Sequence, residues 1–152
     1  LHLKMPIFVA RQIMKHTTGL EYNEVSRRYV DSEPEIFFPK EFRVVAADVK
    51  QGSGGTHPKN DKWQARVREY SDLATHLYED MLEDGVAPEQ ARMYLPHSMY
   101  TEVIATGNLY AWANLYIQRT DSHAQKETQD LAKQIGEITQ TLYPVSWEAL
   151  CS

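Results

Sequence analysis

Four arginines, Arg27, Arg28, Arg92 and Arg119, stand in polar contexts along this chain and could converge on one anionic ligand. A guanidinium makes paired hydrogen bonds to a phosphate and to the edge of a pyrimidine, which the point charge of a lysine does not reproduce. Asn23, Glu24 and Ser26, just before the first two arginines, add donors and acceptors suited to a base or a ribose. Arg119 precedes Ser122-His123-Ala124-Gln125, which has the form of a capping box with Ser122 at the N-cap. A helix opening there would present free backbone N–H groups that also favour an anion. Taken singly, each of these residues reads more readily as a surface ion pair or a turn contact. Taken together they point to binding of a small anion, with a nucleotide as one candidate.

Other chemistries find less support. His2, His16, His57, His76, His97 and His123 include no His-Glu-x-x-His and no paired ligand spacing, so no metal site is expected. Cys151 is the single cysteine, beside the C-terminus, which excludes an intrachain disulfide and leaves a thiol without a neighbouring base. Ser26 lacks the Gly-x-Ser-x-Gly surroundings of an esterase nucleophile. The glycines of Gln51-Gly52-Ser53-Gly54-Gly55 are not followed by the Lys-Ser or Lys-Thr pair of a phosphate loop.

The elements that must position these residues fit one domain over residues 1–152. A hydrophobic content of 42% with 24% charged residues is that of a soluble globular protein. A net charge of −5 and a pI near 5.7 speak against broad electrostatic binding to nucleic acid, and no apolar run approaches the length of a membrane helix. The opening residues Leu1 to Pro6 read as the last part of a strand, which predicts that an N-terminal portion is missing. Pro6 then suits the first turn of a helix running through His16, with Gln12, Lys15 and His16 on one face and Gly19 ending it. The polar segment Tyr22 to Tyr29 is expected in a loop, and residues 30–60 are loop-rich.

Trp63, Val67, Tyr70, Ala74, Leu77 and Met81 alternate at spacings of four and three, which predicts a long helix with one apolar seam, capped at Gly85. A short helix is expected from Pro88 to just before Pro96, a β segment from Tyr100 to Ala105, and a helix from Leu109 to Ile117. The final helix carries Leu131, Ile135, Ile138 and Leu142 as its seam and stops at Pro144. The fold class expected is α/β of the α+β kind, mostly helical with a small antiparallel sheet.

With these residues in order, the chain resembles the flavin-dependent thymidylate synthases. Pro6 to Gln12 leading into Asn23-Glu24-x-Ser26-x-Arg28-Tyr29 is similar to that family's signature region. Leu95-Pro96-x-x-x-Tyr100-Thr101-Glu102, Thr106-Gly107-Asn108 and Arg119-x-Asp121-Ser122-His123-Ala124-Gln125 follow in the family's order, so the resemblance covers most of the chain. It implies a ThyX-like fold and conversion of dUMP to dTMP with methylenetetrahydrofolate as carbon donor, NADPH as reductant and FAD as hydride carrier. It implies that Arg119 is the catalytic arginine, stabilising the ionised N3 of uracil and so activating C5. Gln12, Lys15, Glu24, Val25, Ser26, Arg27, Arg28, Arg92 and Arg119 fall at dUMP-binding positions. Lys15, His16, Thr17, Glu24, Asn108, Leu109, Tyr110 and Asn114 fall at positions facing FAD. It further implies a homotetramer with active sites shared between subunits and an additional N-terminal region whose histidine contributes to the FAD site; the single cysteine separately fits a reducing cytoplasm, the location expected.

This sequence departs from the family pattern at one place. The hallmark begins Arg-His-Arg, whereas Lys15-His16-Thr17 stand here, the spacer to Asn23 is one residue longer, and Glu21 replaces a common serine. Lys15 keeps a charge without the planar fork. The departures imply a divergent, virus-like branch, which for a viral protein moves the expected location to the host's cytoplasm. They keep two other readings open: a pyrimidine deoxynucleotide hydroxymethylase of the same family, and a non-catalytic nucleotide- or flavin-binding module.

Overall fold

The computed structural model describes residues 1–26, 33–46 and 52–152. Strand β1 (His2–Pro6) leads directly into helix α1 (Ile7–Ile13), followed by β2 (Leu20–Glu24), β3 (Arg43–Val45) and β4 (Ser53–Thr56). Then come the long helix α2 (Asn60–Glu83), the short α3 (Pro88–Ala91) with a tighter turn over Arg92–Tyr94, and β5 (Tyr100–Gly107). Helices α4 (Leu109–Thr120), α5 (Lys126–Leu142) and α6 (Pro144–Cys151) complete the chain.

The last long strand to appear in the chain is the centre of the sheet. β5 pairs antiparallel with β1 on one side and β2 on the other, in the order β1-β5-β2. The register sets Leu3 opposite Val103, Met5 opposite Thr101 and Tyr22 opposite Ala105, so one face collects the apolar side chains. Leu3, Met5, Leu20, Val103 and Ala105 are all buried there, whereas Lys4 and Ile104 point away. An antiparallel sheet with one covered face needs only this alternation. The cover is α1, α4, α5 and α6, through Val9, Ile13, Trp112, Leu115, Ile135 and Trp147. A second apolar cluster, Tyr78, Ala91, Leu95 and Met99, ties α2 and α3 to the start of β5.

The expected mostly helical fold with a small antiparallel sheet is the one observed, with several local differences. Pro6 stands just before α1 rather than inside it, and the helix ends at Ile13, so Lys15 and His16 lie in the turn beyond. Gly19, with φ 73, is the left-handed residue that turns the chain into β2 and does not end α1. The segment read as a loop from Tyr22 is strand through Glu24, because β5 offers its free edge to these backbone groups.

The seam on α2 is met at Ala74, with Val67 and Met81 half-buried, and is displaced by one position elsewhere. Ser71, Ala74 and Tyr78 are buried, while Trp63, Tyr70 and Leu77 are exposed. The packed stripe is one edge of a broader apolar face, and hydrophobicity alone marks the face without marking the edge. On α5, Ile135 is buried but Ile138 and Leu142 are exposed, and Thr128, Ala132, Gly136 and Thr139 fill the contact instead. Pro144 does end α5, and it also opens α6, a helix not foreseen.

The capping box does not form. Asp121 Oδ1 accepts from the His123 backbone N–H at 2.8 Å, the Ala124 N–H donates to the Asp121 carbonyl at 3.0 Å, and α5 begins only after Gln125. A carboxylate one residue ahead of Ser122 takes the capping role locally and closes a turn instead. The His123 backbone bond, with a second contact from the His123 ring Nδ1 at 2.8 Å, holds the Asp121 carboxyl below its ordinary range. Among the described residues no helix is long and apolar enough to cross a membrane.

Candidate functional site

Arg119 lies in the last turn of α4, where the turn after α1 meets it. Its Nε donates to His16 Nε2 at 2.8 Å and its Nη2 donates to the Gln12 carbonyl at 2.9 Å. For His16 Nε2 to accept, the ring must be neutral with its proton on Nδ1. Burial, and then the positive charge of Arg119, hold the His16 pKa below its ordinary value, which keeps that form. Two of the five N–H groups of the guanidinium are thereby used to fix its orientation, and Nη1 is not engaged by either bond. Among the described residues no carboxylate pairs with Arg119. It is a positioned cation ready for a ligand.

Tyr22, which the sequence reading did not single out as a site residue, holds the other side of this turn. Its hydroxyl lies 3.0 Å from the Ile13 carbonyl and 2.9 Å from the His16 carbonyl, a shared donation to both. Burial pushes the phenol pKa up to about 12, with Arg119 opposing, so the donor proton stays on across physiological pH. The alternation that turns Tyr22 inward from β2 was the available signal.

Of the positions expected to face a flavin, Lys15, His16 and Thr17 lie in this turn and Asn108 to Asn114 follow on α4, whereas Glu24 lies in another cleft. Lys15 and Thr17 are exposed beside His16. Asn108 caps α4, its Oδ1 accepting from the Ala111 N–H at 2.9 Å, and its backbone N–H donates to the Gly19 carbonyl at 3.2 Å. Its side-chain oxygen is thus engaged in holding the helix start. Tyr110 is 69% exposed, Leu109 half-buried, and Asn114 follows one turn later, accepting from Gln118 Nε2 at 2.9 Å.

A second group forms a separate cleft of about 500 Å³. Glu24, Val25, Ser26 and Arg92 line it, together with Lys4, Glu35, His97, Tyr100, Thr101 and Glu102. Thr101 Oγ1 donates to Glu24 Oε1 at 2.7 Å, fixing one carboxylate oxygen of Glu24. Lys4 pairs with Glu35, and His2 Nε2 lies 2.7 Å from Glu102 Oε2, so these partners are largely mutually satisfied. Arg92, on the turn after α3, is exposed with no carboxylate partner among the described residues. Arg27 and Arg28 lie outside the described residues.

The expected dUMP positions therefore divide. Glu24, Val25, Ser26 and Arg92 share the cleft, whereas Gln12, Lys15 and Arg119 do not line it. Gln12 and Arg119 meet directly on the other group, and Lys15 follows in the same turn. Each half carries a guanidinium with no carboxylate partner among the described residues.

A one-sided antiparallel sheet under four helices carries two polar half-sites, each built on a guanidinium group. The chain matches the family model described as thymidylate synthase complementing protein over residues 1–145. It is 37% identical over 150 residues to the flavin-dependent thymidylate synthase of Kosmotoga olearia, covering 97% of this chain and 65% of that relative. It is 37% identical over 148 residues to the enzyme of that name from Thermus thermophilus, covering 97% of this chain and 54% of the relative. Among solved structures it is similar to a UMP/dUMP methylase, PolB from Streptomyces cacaoi, bound with 5-Br dUMP. The TM-score there is 0.86 at 30% identity, covering 97% of this chain and 68% of that one. The chain belongs to the thymidylate synthase complementing protein family. It spans just under two thirds of the length of the Kosmotoga relative.

Proposed function

We propose that this protein is a flavin-dependent thymidylate synthase, methylating dUMP to dTMP with methylenetetrahydrofolate as carbon donor and NADPH as reductant, with residues 1–152 acting as one domain of it. The observation that carries the reading is the oriented guanidinium of Arg119, held by neutral His16 and the Gln12 carbonyl and without a carboxylate partner among the described residues. A cation fixed against the N3 edge of uracil stabilises the negative charge that develops when that nitrogen ionises. Electron density then rises at C5, the carbon to be alkylated. Because the two donor bonds fix the guanidinium in advance, little reorganisation is needed when the charge appears.

The half-site of Glu24, Val25, Ser26 and Arg92 would take the remaining polar groups of the nucleotide, Arg92 as the phosphate-seeking fork and Glu24 and Ser26 at the sugar or base. Arg27 and Arg28 belong to the same proposal by their sequence positions. That the two halves do not share one cleft supports assembly of each complete site from more than one subunit. The exposed apolar edge of α2, with Trp63, Tyr70, Leu73 and Leu77, supports the same homotetrameric reading.

The residues around Lys15 suit the phosphate end of FAD. Lys15 is an exposed cation, Asn114 an exposed amide, and Tyr110 an exposed ring at the positive end of α4. Lys15, His16, Thr17, Asn108, Leu109, Tyr110 and Asn114 would hold it, with Asn108 acting mainly by fixing the helix start and Glu24 approaching from the nucleotide side. When bound, the flavin supplies hydride transfer, chemistry that no side chain here offers. A cytoplasmic location, where dUMP and reduced folate are available, is part of the same proposal.

Incubating the full-length protein with FAD, NADPH, methylenetetrahydrofolate and dUMP, and weighing the nucleotide product by mass spectrometry, tests the assignment. A mass gain of a methyl group supports it. An additional oxygen would identify a hydroxymethylase instead, and unchanged dUMP with flavin bound would leave only a binding module.

A further inference from the structure

The Ala124-Gln125 part of the signature, released from the capping role expected of it, has another place in the molecule. Gln12 Nε2 donates to Gln125 Oε1 at 2.8 Å, and Gln125 Nε2 donates to Glu127 Oε2 at 3.0 Å. Glu127 Oε1 accepts from Arg43 Nη2 at 2.7 Å, and Arg43 Nε donates to Ser53 Oγ at 2.6 Å. These five side chains come from α1, the turn before α5, the first turn of α5, and the β3 and β4 pair. The ion pair in the middle is well covered, with side-chain exposures of 22% for Arg43 and 13% for Glu127.

We infer that Gln125, Glu127 and Arg43 form a positioning relay that sets the amide of Gln12 for the nucleotide, an inference that rests on Gln12 and Arg119 being part of the dUMP site. The polarity of the chain runs one way. Arg43 can only donate, so Glu127 accepts, so Gln125 must turn its NH2 toward Glu127 and its oxygen toward Gln12. Gln12 must then spend its NH2 on Gln125 and on the Phe8 carbonyl, at 3.3 Å. Its amide oxygen takes no part in these bonds and is left as the acceptor presented to a ligand. A free glutamine flips between donor and acceptor, whereas this one is held as an acceptor by a charge two residues removed. The same Gln12 offers its backbone carbonyl to Arg119, so the relay steadies the residue that steadies the guanidinium. Gln125, Glu127 and Arg43 are positioning residues and none needs to touch substrate.

The test is dUMP affinity of the full-length, flavin-loaded protein, with thermal stability read in parallel. Gln125→Met, which keeps the volume and removes both polar ends, should weaken dUMP about threefold to tenfold, the effect of leaving one glutamine unordered before binding. Glu127→Gln, which keeps an acceptor for Gln125 and loses the carboxylate for Arg43, should fall between wild type and Gln125→Met. In a double-mutant cycle Gln125→Met should have no further effect once Gln12→Ala is present. Additive losses, or a loss that only follows a lowered Tm, would overturn the relay while Gln12 stays in the site. Unchanged affinity in Gln125→Met, with Gln12→Ala still weak, overturns it as well. A wild-type protein that does not bind dUMP overturns the nucleotide assignment itself, and the relay with it.

Discussion

Replacing Gly136 by alanine sets two known effects against each other at the helix that backs Arg119. Gly136 is buried in α5 against α4, and a Cβ placed on it would lie 2.4 Å from Tyr116 Cε2 and 2.7 Å from Cδ2. The Tyr116 ring has little room to yield, because it also meets the buried Trp147, with ring centroids 5.3 Å apart. Glycine to alanine within a helix gains about 1 kcal/mol of helix propensity. Overpacking a tight core contact costs about 1–3 kcal/mol, and separations this short against an immobile ring belong at the upper end. The balance is a net loss of about 2 kcal/mol, or a Tm lowered by about 4–8 °C for a chain of this size. Thermal denaturation of wild type and Gly136→Ala at one fixed protein concentration measures it. Gly136→Ala combined with Tyr116→Leu should recover part of the loss relative to the sum of the single changes. A raised Tm in Gly136→Ala would mean that propensity wins, and would refute the close approach of α4 and α5 that places Arg119.

Three further outcomes follow from the site. The folded-state pKa of His16 lies below its ordinary 6.5, so its contribution to stability is complete above about that pH and is lost as pH falls through the lowered value. Protonation also turns its Nε2 from acceptor to donor against Arg119 Nε, so dUMP affinity should fall over the same acidic window and His16→Gln should flatten that dependence. Tyr22→Phe removes a hydroxyl shared by the Ile13 and His16 carbonyls and should cost about 1–2 kcal/mol in urea denaturation, with weakened flavin retention. Arg119→Lys should not restore dUMP binding lost in Arg119→Ala, because an ammonium cannot hold His16 and Gln12 and still present a planar pair of donors; equilibrium binding of the two variants checks this.

The sequence blocks marked which residues to look at, but not that Arg92 and Arg119 would fall in separate groups. Glu24, Val25, Ser26 and Arg92 do share one cleft, and Arg119, His16 and Gln12 do meet. What periodicity could not supply was partnership. β2 reads as loop in isolation, since only Leu20 and Tyr22 turn inward, and it becomes strand because β5 has an open edge beside it. Ser122 is a good capping residue, but Asp121 next to it is a stronger local acceptor and draws the turn to itself. The α2 face holds more apolar side chains than its neighbours can cover, so the buried edge is set by what α3 and β5 offer. Arg43 was hidden for a similar reason: it lies in a loop-rich stretch, and its significance comes only from Glu127, far along the chain.

If Arg119 is the oriented cation that activates C5 of dUMP, release of tritium from dUMP labelled at C5 measures that event directly. With FAD, NADPH and methylenetetrahydrofolate present, the wild-type full-length protein should release tritium in step with dTMP formation. Arg119→Ala, with flavin still bound, should lose that release by about a hundredfold or more, the scale of removing one charge-stabilising group. Equal release from Arg119→Ala and wild type, each carrying flavin, would show that Arg119 does not activate C5.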